Sequence, residues 1–330
     1  AEVEVKDKVI EKAAQNADVA LLTIGRQAGE GSDRKNAQGD WLLTDVEQNM
    51  IAKVTEQFHA AGKKVVVIMN IGGAIETASW KNTPDAILLA WQCGQEGGNT
   101  VADVLAGKVN PSGKLSMTFP VNYMDHASSA NFPYDEEIID FSFGANSVGD
   151  AKHERKNVDY TNYEEDVYVG YRYFDTFGKD VSYPFGYGLS YTTFEYSNPT
   201  LVADKGAYTV TVDVTNTGKV AGKEVVQVYA AAPANAAGQP AQELVAFAKT
   251  KSLAPGESEV LTMSFTNKDI AWFDEARNAW VVDGGDYAIA VAASSRDAKA
   301  NLSLNVAKEK VIEEVIGDVA PLQKLDLLKK

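Results

Sequence analysis

The sequence offers one carboxylate in a setting suited to moving. Arg26-Gln-Ala-Gly-Glu-Gly-Ser-Asp-Arg34 follows an apolar run, and Gly29 and Gly31 flank Glu30. Paired glycines let the backbone turn sharply, so such a loop can carry a carboxylic acid over a neighbouring pocket, there to act as general acid or base. The same residues also suit a solvated loop acid, the ordinary state of a loop glutamate taken alone. A phosphate-binding turn fits poorly. The glycines stand at 25, 29 and 31, off the dinucleotide spacing, and a glutamate would repel the phosphate. Asp33 and Arg34 suit a local ion pair that pins the loop. A cation placed there would also keep a nearby carboxylate ionised, which works against a general acid.

Two further segments place glycines and polar side chains just past apolar runs. They are Ile68-Met-Asn-Ile-Gly-Gly-Ala-Ile-Glu76 and Leu89-Ala-Trp-Gln-Cys-Gly-Gln-Glu-Gly-Gly98. Glu96 suits either contact with a ligand or the N-terminus of a helix, whose dipole favours an acid. Trp91 and Gln92 read equally well as core and strand-end residues. Cys93 is the single cysteine, so an intramolecular disulfide and a cysteine-based metal cluster are excluded. His59, His126 and His153 are scattered, which argues against a histidine metal site. Chemistry in this chain therefore rests on carboxylates, hydroxyls and aromatic rings.

The elements that must position these groups change period midway. In the first half, Val9–Asn16 reads as an amphipathic helix and Val19–Ile24 as a buried strand. Thr44-Asp-Val-Glu47 is a capping box opening a helix to about Ala61. Lys64–Asn70 and Ala86–Trp91 are apolar strands, and a helix runs from about Asn99 to Leu105. Near-continuous apolar strands separated by helices predict an open, mostly parallel α/β sandwich covered on both faces, with ligands outside the strands' carboxyl ends. From Tyr208 the period becomes two. Tyr208–Thr215, Val225–Tyr229, Glu259–Phe265, Trp280–Val282 and Asp286–Val291 alternate between turn sequences such as Asn216-Thr-Gly218, which predicts an all-β immunoglobulin-like sandwich. The boundaries expected are 1–121 for the α/β sandwich, 122–195 for an aromatic-rich connector, 196–307 for the β-sandwich and 308–330 for a charged tail. Val311–Val315 in that tail reads as helix.

With 45% apolar and 23% charged residues, the 330-residue chain has the balance of a globular protein. Its formal charge of −15 disfavours nucleic-acid or anionic-membrane partners, which need a basic face. No run of eighteen apolar residues is present, so no membrane-spanning helix is expected. The charged start, Ala1-Glu-Val-Glu-Val-Lys-Asp-Lys8, lacks an apolar h-region, so no signal peptide is expected in these residues. The compartment is left open.

Taken together, the segments resemble glycoside hydrolase family 3. The resemblance is carried by Gly29–Lys35, Ala90–Gly98, Val101–Leu115, Met117-Thr-Phe-Pro120, Tyr168–Phe174, Tyr183–Tyr191, Val214–Gly218, Gly222–Val225 and Leu253–Glu257. The resemblance implies a β-glucosidase-like, retaining, exo-acting enzyme built from a barrel, an α/β sandwich and a fibronectin type III-like domain. It implies an aspartate nucleophile on the barrel and an acid/base glutamate on a sandwich loop, at the position of Glu30. No segment here resembles the barrel or its nucleophile motif, and the sandwich's first strand and helix are expected before residue 1. The expectation is a truncated, proteolysed, split or domain-shuffled enzyme, inactive alone, with a bare sheet edge unless another chain covers it.

The partners expected are a β-linked glucoside or oligosaccharide and a barrel on the same gene product or a second chain. A homo-oligomer is also compatible, and no cofactor is required. A different class of function, a non-catalytic carbohydrate-binding or scaffold protein of the same two domains, is favoured by the missing barrel as Glu30 favours the enzyme. Tyr168, Tyr171, Tyr173 and Tyr187 suit either stacking on a sugar or gluing domains together.

Overall fold

A computed structural model describes residues 4–27, 34–130, 162–234, 236, 238–317 and 325–330. These form two compact units. The first takes in 4–108 and 119–125, and the second takes in 109–118, 126–130 and the described residues from 162 onward.

In the first unit, α1 (Asp7–Asn16) buries Ile10 and Ala14, four residues apart on one face. The strand β1 (Val19–Gly25) follows, then α2 (Asp45–Ala60). The predicted capping box is formed: Thr44 Oγ1 accepts from the Glu47 N–H at 3.1 Å, and the Thr44 N–H donates to Glu47 Oε2 at 2.9 Å. β2 (Lys64–Asn70) and β3 (Ala86–Leu89) pair in parallel in the order β1-β2-β3, with Val19 opposite Lys64 and Val66 opposite Ala86. Ala20 and Val65, side by side in that register, pack with Ile10, Ala14, Val54 and Phe58 of the two helices. Each residue of one strand facing a helix sends its neighbour to the other face, and there Val19 and Leu21 are 45% and 52% exposed. The expectation of helices over both faces is thus not met at β1 among the described residues. An apolar run reports that a strand is buried somewhere, not that it is central. β1 lies at the edge of this sheet.

β3 stops two residues short of the expected Trp91. The Ala90 N–H still donates to the Met69 carbonyl at 2.9 Å, but Trp91 takes φ 54°, which turns the chain out of the ladder. α3 (Gly97–Leu105) and the short strand β4 (Phe119–Pro120) complete the unit.

The second unit carries α4 (Tyr171–Thr176), β5 (Val181–Tyr183) and a β-sandwich. One sheet has the order β10-β7-β6, from Ser258–Thr266, Ala207–Asn216 and Phe194–Asp204. The other has the order β14-β13-β8-β9, from Ala298–Val306, Gly285–Ala292, Val225–Ala231 and Glu243–Lys249. Alternate residues of both sheets fill one core: Val210, Val212 and Val214 meet Val226, Val228, Ile289, Val291 and Leu304. Three of these strands were not legible as an alternating pattern. In β6 the register shifts between Ser197 and Thr200, around Pro199. In β9 the burial pattern does not alternate cleanly, and β14 has largely small or polar side chains.

The helical reading of the tail is overturned. Lys310–Glu314 is a strand, β15, in a third small sheet with β11 (Trp272–Asp274) and β12 (Ala279–Val282). Charge alone does not make a helix. Val311 pairs with Val281, Ile312 packs on the sandwich core, and Glu313 reaches Lys268 at 3.1 Å, so alternation and β-branching decide the segment.

The connector tyrosines have aromatic neighbours within the second unit. Tyr171 stacks on Phe185 with centroids 4.7 Å apart and meets Tyr229 edge-on, Tyr168 and Tyr173 contact Phe177, and Tyr187 contacts Tyr183. Gln227 ties this layer to the sandwich: Nε2 donates to the carbonyls of Gly186 and Ala293, and Oε1 accepts from the Tyr229 hydroxyl at 2.6 Å. Gly186 has φ 79°, and a Cβ there would lie 2.0 Å from Gln227 Oε1, an atom its own bonds hold in place. Gly186→Ala is expected to cost roughly 2–4 kcal/mol, from the left-handed backbone and the overpacking together. Chemical denaturation followed through Trp272 and Trp280 would measure it; a loss below about 1 kcal/mol would mean that Gln227 yields freely.

Candidate active site at the carboxyl ends of the parallel strands

The carboxyl ends of β1 and β2 are joined by ladder bonds that outlast the strands. The Arg26 N–H donates to the Asn70 carbonyl at 3.1 Å, one residue beyond the end of β1. Glu30 itself, with residues 28–33, lies outside the described residues. What the structure does describe is how both ends of that segment are held.

Arg26 begins the excursion. Its Nε donates to the Asp40 carbonyl at 2.9 Å, one terminal nitrogen to the Gly25 carbonyl and Glu47 Oε1, both at 2.7 Å, and the other to the Leu42 carbonyl at 3.2 Å and Glu47 Oε2 at 2.7 Å. All five N–H groups of the guanidinium are used, two of them in a bidentate fork on one carboxylate. The side chains of Arg26 and Glu47 are only 4% and 10% exposed. Glu47 therefore does two things at once, capping α2 and neutralising a buried cation.

Arg34 ends the excursion. It donates to Asp40 Oδ1 at 2.7 Å, and its guanidinium lies against Gly73, past the end of β2. Among the described residues its carboxylate partner is Asp40, whose other oxygen accepts the Lys35 N–H at 2.6 Å. The Tyr123 hydroxyl donates to the Arg34 carbonyl at 2.5 Å, and Tyr123 meets the buried Trp41 ring edge-on. The Trp41 carbonyl in turn accepts the Glu76 N–H at 2.9 Å. Residues 40–42 thus form a strap that receives both arginines and is tied to the segment after β2.

The third segment is a tight turn. Cys93 Sγ lies 3.2 Å from the Ala90 carbonyl, and a Cβ on Gly97 would fall 2.7 Å from Cys93 Cβ, so glycine is needed for closure. Trp91 is half-buried against Phe119, and Gln92 is exposed. Glu96 stands at the N-cap of α3 and accepts from Asn99 Nδ2 at 2.7 Å, which fits the helix-terminus reading of that acid.

Sequence reasoning quoted Arg26 and Glu47 separately, as the start of a loop and half of a capping box, and did not join them. A signal existed: an arginine directly after a buried strand must find a carboxylate. A separation of 21 positions in the chain hid which one.

Burial pushes the Glu47 carboxyl up, but the bonds from Arg26 and from the Thr44 N–H outweigh it and hold the pKa below the ordinary glutamate value. A folded-state pKa that is lowered adds stability fully present above the unfolded value of about 4.3 and lost as pH falls through the folded value. The first unit is expected to lose stability on acidification below that point. Glu47→Gln is expected to flatten part of that slope while lowering stability at pH 7 by about 3–5 kcal/mol, because Arg26 stays buried without its counter-charge. Denaturation at stepped pH values checks both; a slope unchanged by the substitution would place the acid sensitivity on other carboxylates.

Comparison with known proteins bears on these features. Residues 4–191 match the glycosyl hydrolase family 3 C-terminal domain, and residues 224–295 match a fibronectin type III-like domain. The chain is similar to a β-glucosidase of Ruminococcus albus, 39% identical over 328 residues that make up 97% of this chain and 32% of that protein. It is similar also to an exo-α-(1→6)-L-arabinopyranosidase of Bifidobacterium breve, 39% identical over 288 residues, 87% of this chain and 34% of that protein. Among solved structures, β-glucosidase 3B from Thermotoga neapolitana in complex with α-D-glucose superposes with a TM-score of 0.83 at 46% identity, over 93% of this chain and 40% of that one. The chain spans about a third of the length of the curated relatives it matches.

Proposed function

The chain belongs to glycosyl hydrolase family 3, and on that premise we propose that it is the acid/base-bearing part of a retaining, exo-acting β-glycosidase, most simply a β-glucosidase. Glu30 is the general acid/base, and the nucleophile stands on a barrel domain outside this sequence. The observation that carries the reading is the place of Glu30. It follows the carboxyl end of β1, where open α/β sheets expose their ligands, in a segment whose two ends are pinned to one strap.

The mechanism has two displacements. The barrel carboxylate attacks the anomeric carbon while Glu30 passes its proton to the departing glycosidic oxygen. Glu30, now a carboxylate, then takes a proton from water as that water attacks the glycosyl–enzyme bond. Retention needs the two carboxyls about 5–5.5 Å apart, so the acid must be held at a set reach from its sheet. Among the described residues, Arg26 is engaged by Glu47 and Arg34 by Asp40, which offsets the pull of either cation on a nearby acid.

The test joins this chain to a barrel, either its own or that of the Thermotoga neapolitana enzyme to which it is similar. Aryl β-glucoside hydrolysis is expected from the joined protein and not from the chain alone. Hydrolysis by the chain alone would overturn the division of labour. Glycan binding by the chain without any barrel-dependent hydrolysis would favour the carbohydrate-binding reading.

A further inference from the structure

A buried ion pair seldom adds net stability over well-packed apolar residues, so its use wants a reason. The Arg26–Glu47 pair stands where β1 hands over to the 27–33 segment. Its bonds converge on the residues that hold the other end. Asp40 is the shared point: its carbonyl accepts Arg26 Nε at 2.9 Å and lies 3.4 Å from an Arg34 terminal nitrogen, while its carboxylate holds Arg34 and the Lys35 N–H. Glu47 extends the arrangement to α2, because the same carboxylate that grips Arg26 caps that helix. The end of β1, the strap and the first turn of α2 are therefore one hydrogen-bonded body.

We propose that Arg26 and Glu47 are positioning residues for Glu30: they fix the chain where it leaves β1, at Arg26, to the 40–42 strap to which Arg34 is also bound. The inference rests on the reading of Glu30 as acid/base. The fork explains why this position needs arginine. A lysine has three donors radiating from a point and could not serve Glu47 and three carbonyls together. A pair of charges also fixes direction and distance, which an apolar contact does not.

Two experiments test this, one on the chain itself and one on the barrel-joined enzyme. In the chain, amide hydrogen exchange is compared between the parent and Glu47→Gln or, should that variant fail to fold, Arg26→Lys. Lost stability raises exchange through the whole unit by a common factor, which the interiors of β2 and α2 report; positioning predicts a rise at Arg26, Lys35 and Thr44 that exceeds that common factor. A rise at these three no larger than in the interiors of β2 and α2 would mean that the pair only stabilises, and would overturn the proposal. In the joined enzyme, the same variants are expected to lose about 10- to 100-fold in kcat/KM on glucosides with poor leaving groups, the scale of a misplaced catalytic group. In the same quantity dinitrophenyl glucoside, whose first displacement needs little acid, should lose less than about threefold. Asp40→Asn, in the half-exposed pair at the returning end, should act in the same sense. Equal losses on both substrates would overturn the proposal. Glu30→Ala run alongside separates the two ideas: if it shows the leaving-group dependence and Glu47→Gln does not, the positioning inference fails while the acid/base reading stands. If Glu30→Ala itself lacks that dependence, the reading of Glu30 fails.

Discussion

Glu30→Ala in the barrel-joined enzyme is expected to lose about 10²- to 10⁴-fold in turnover on glucosides with poor leaving groups. In kcat/KM, which reports the first displacement, the loss should shrink to little for activated aryl glucosides, whose leaving groups depart without a proton. For those substrates the second displacement becomes slow instead, because water now attacks without a base. A small anion such as azide needs no deprotonation, so added azide should raise turnover of the activated substrates and yield a glycosyl azide of retained configuration. Steady-state kinetics across a series of aryl glucosides, with and without azide, reads all three signatures. Equal loss for good and poor leaving groups, with no rescue, would remove Glu30 from the acid/base role.

Asn216→Asp is expected to cost at least about 3 kcal/mol in the second unit. Asn216 is fully buried at the end of β7, in the Asn-Thr-Gly turn, and its side-chain amide is satisfied on both sides. Oδ1 accepts from Thr192 Oγ1 at 2.6 Å and from the Gly218 N–H at 3.0 Å, while Nδ2 donates to the carbonyls of Val220 and Leu253, both at 2.8 Å. A carboxylate of the same shape keeps the acceptors and loses both donors, leaving two carbonyls facing a negative charge. The buried acid would titrate above its unfolded value of about 3.9, so the destabilisation should grow as pH rises through and above that value and be least in acid. Urea denaturation at pH 4 and pH 8 measures the difference. An effect that does not vary with pH would mean that the site opens to water.

The helix α2 and the strand β2 were readable because their causes are local. Thr44 and Glu47 lie within one turn, and Lys64–Asn70 is a run of β-branched and apolar residues ended by glycines. β7, β10 and β13 were readable because one face of each is buried and the other is not, which writes a period of two into the sequence. β6 hid behind a proline and a register shift, and β15 behind its charges, since the residues that pair with it and make it a strand lie 28 to 35 positions upstream at Ala279–Val282.

What the sequence determined by itself is what composition and neighbours along the chain decide: the caps, the strand periods, a single cysteine that leaves no intramolecular disulfide, and a glycine-flanked acid at residue 30. What only the tertiary structure decided is who meets whom. Arg26 could have balanced its charge with any of many carboxylates, and Asn216 could have turned outward to water. A buried charge or amide takes its partners from whatever the packed fold brings within about 3 Å. Those partners, Glu47 for the one and the carbonyls of Val220 and Leu253 for the other, stand 4 to 37 residues away in sequence.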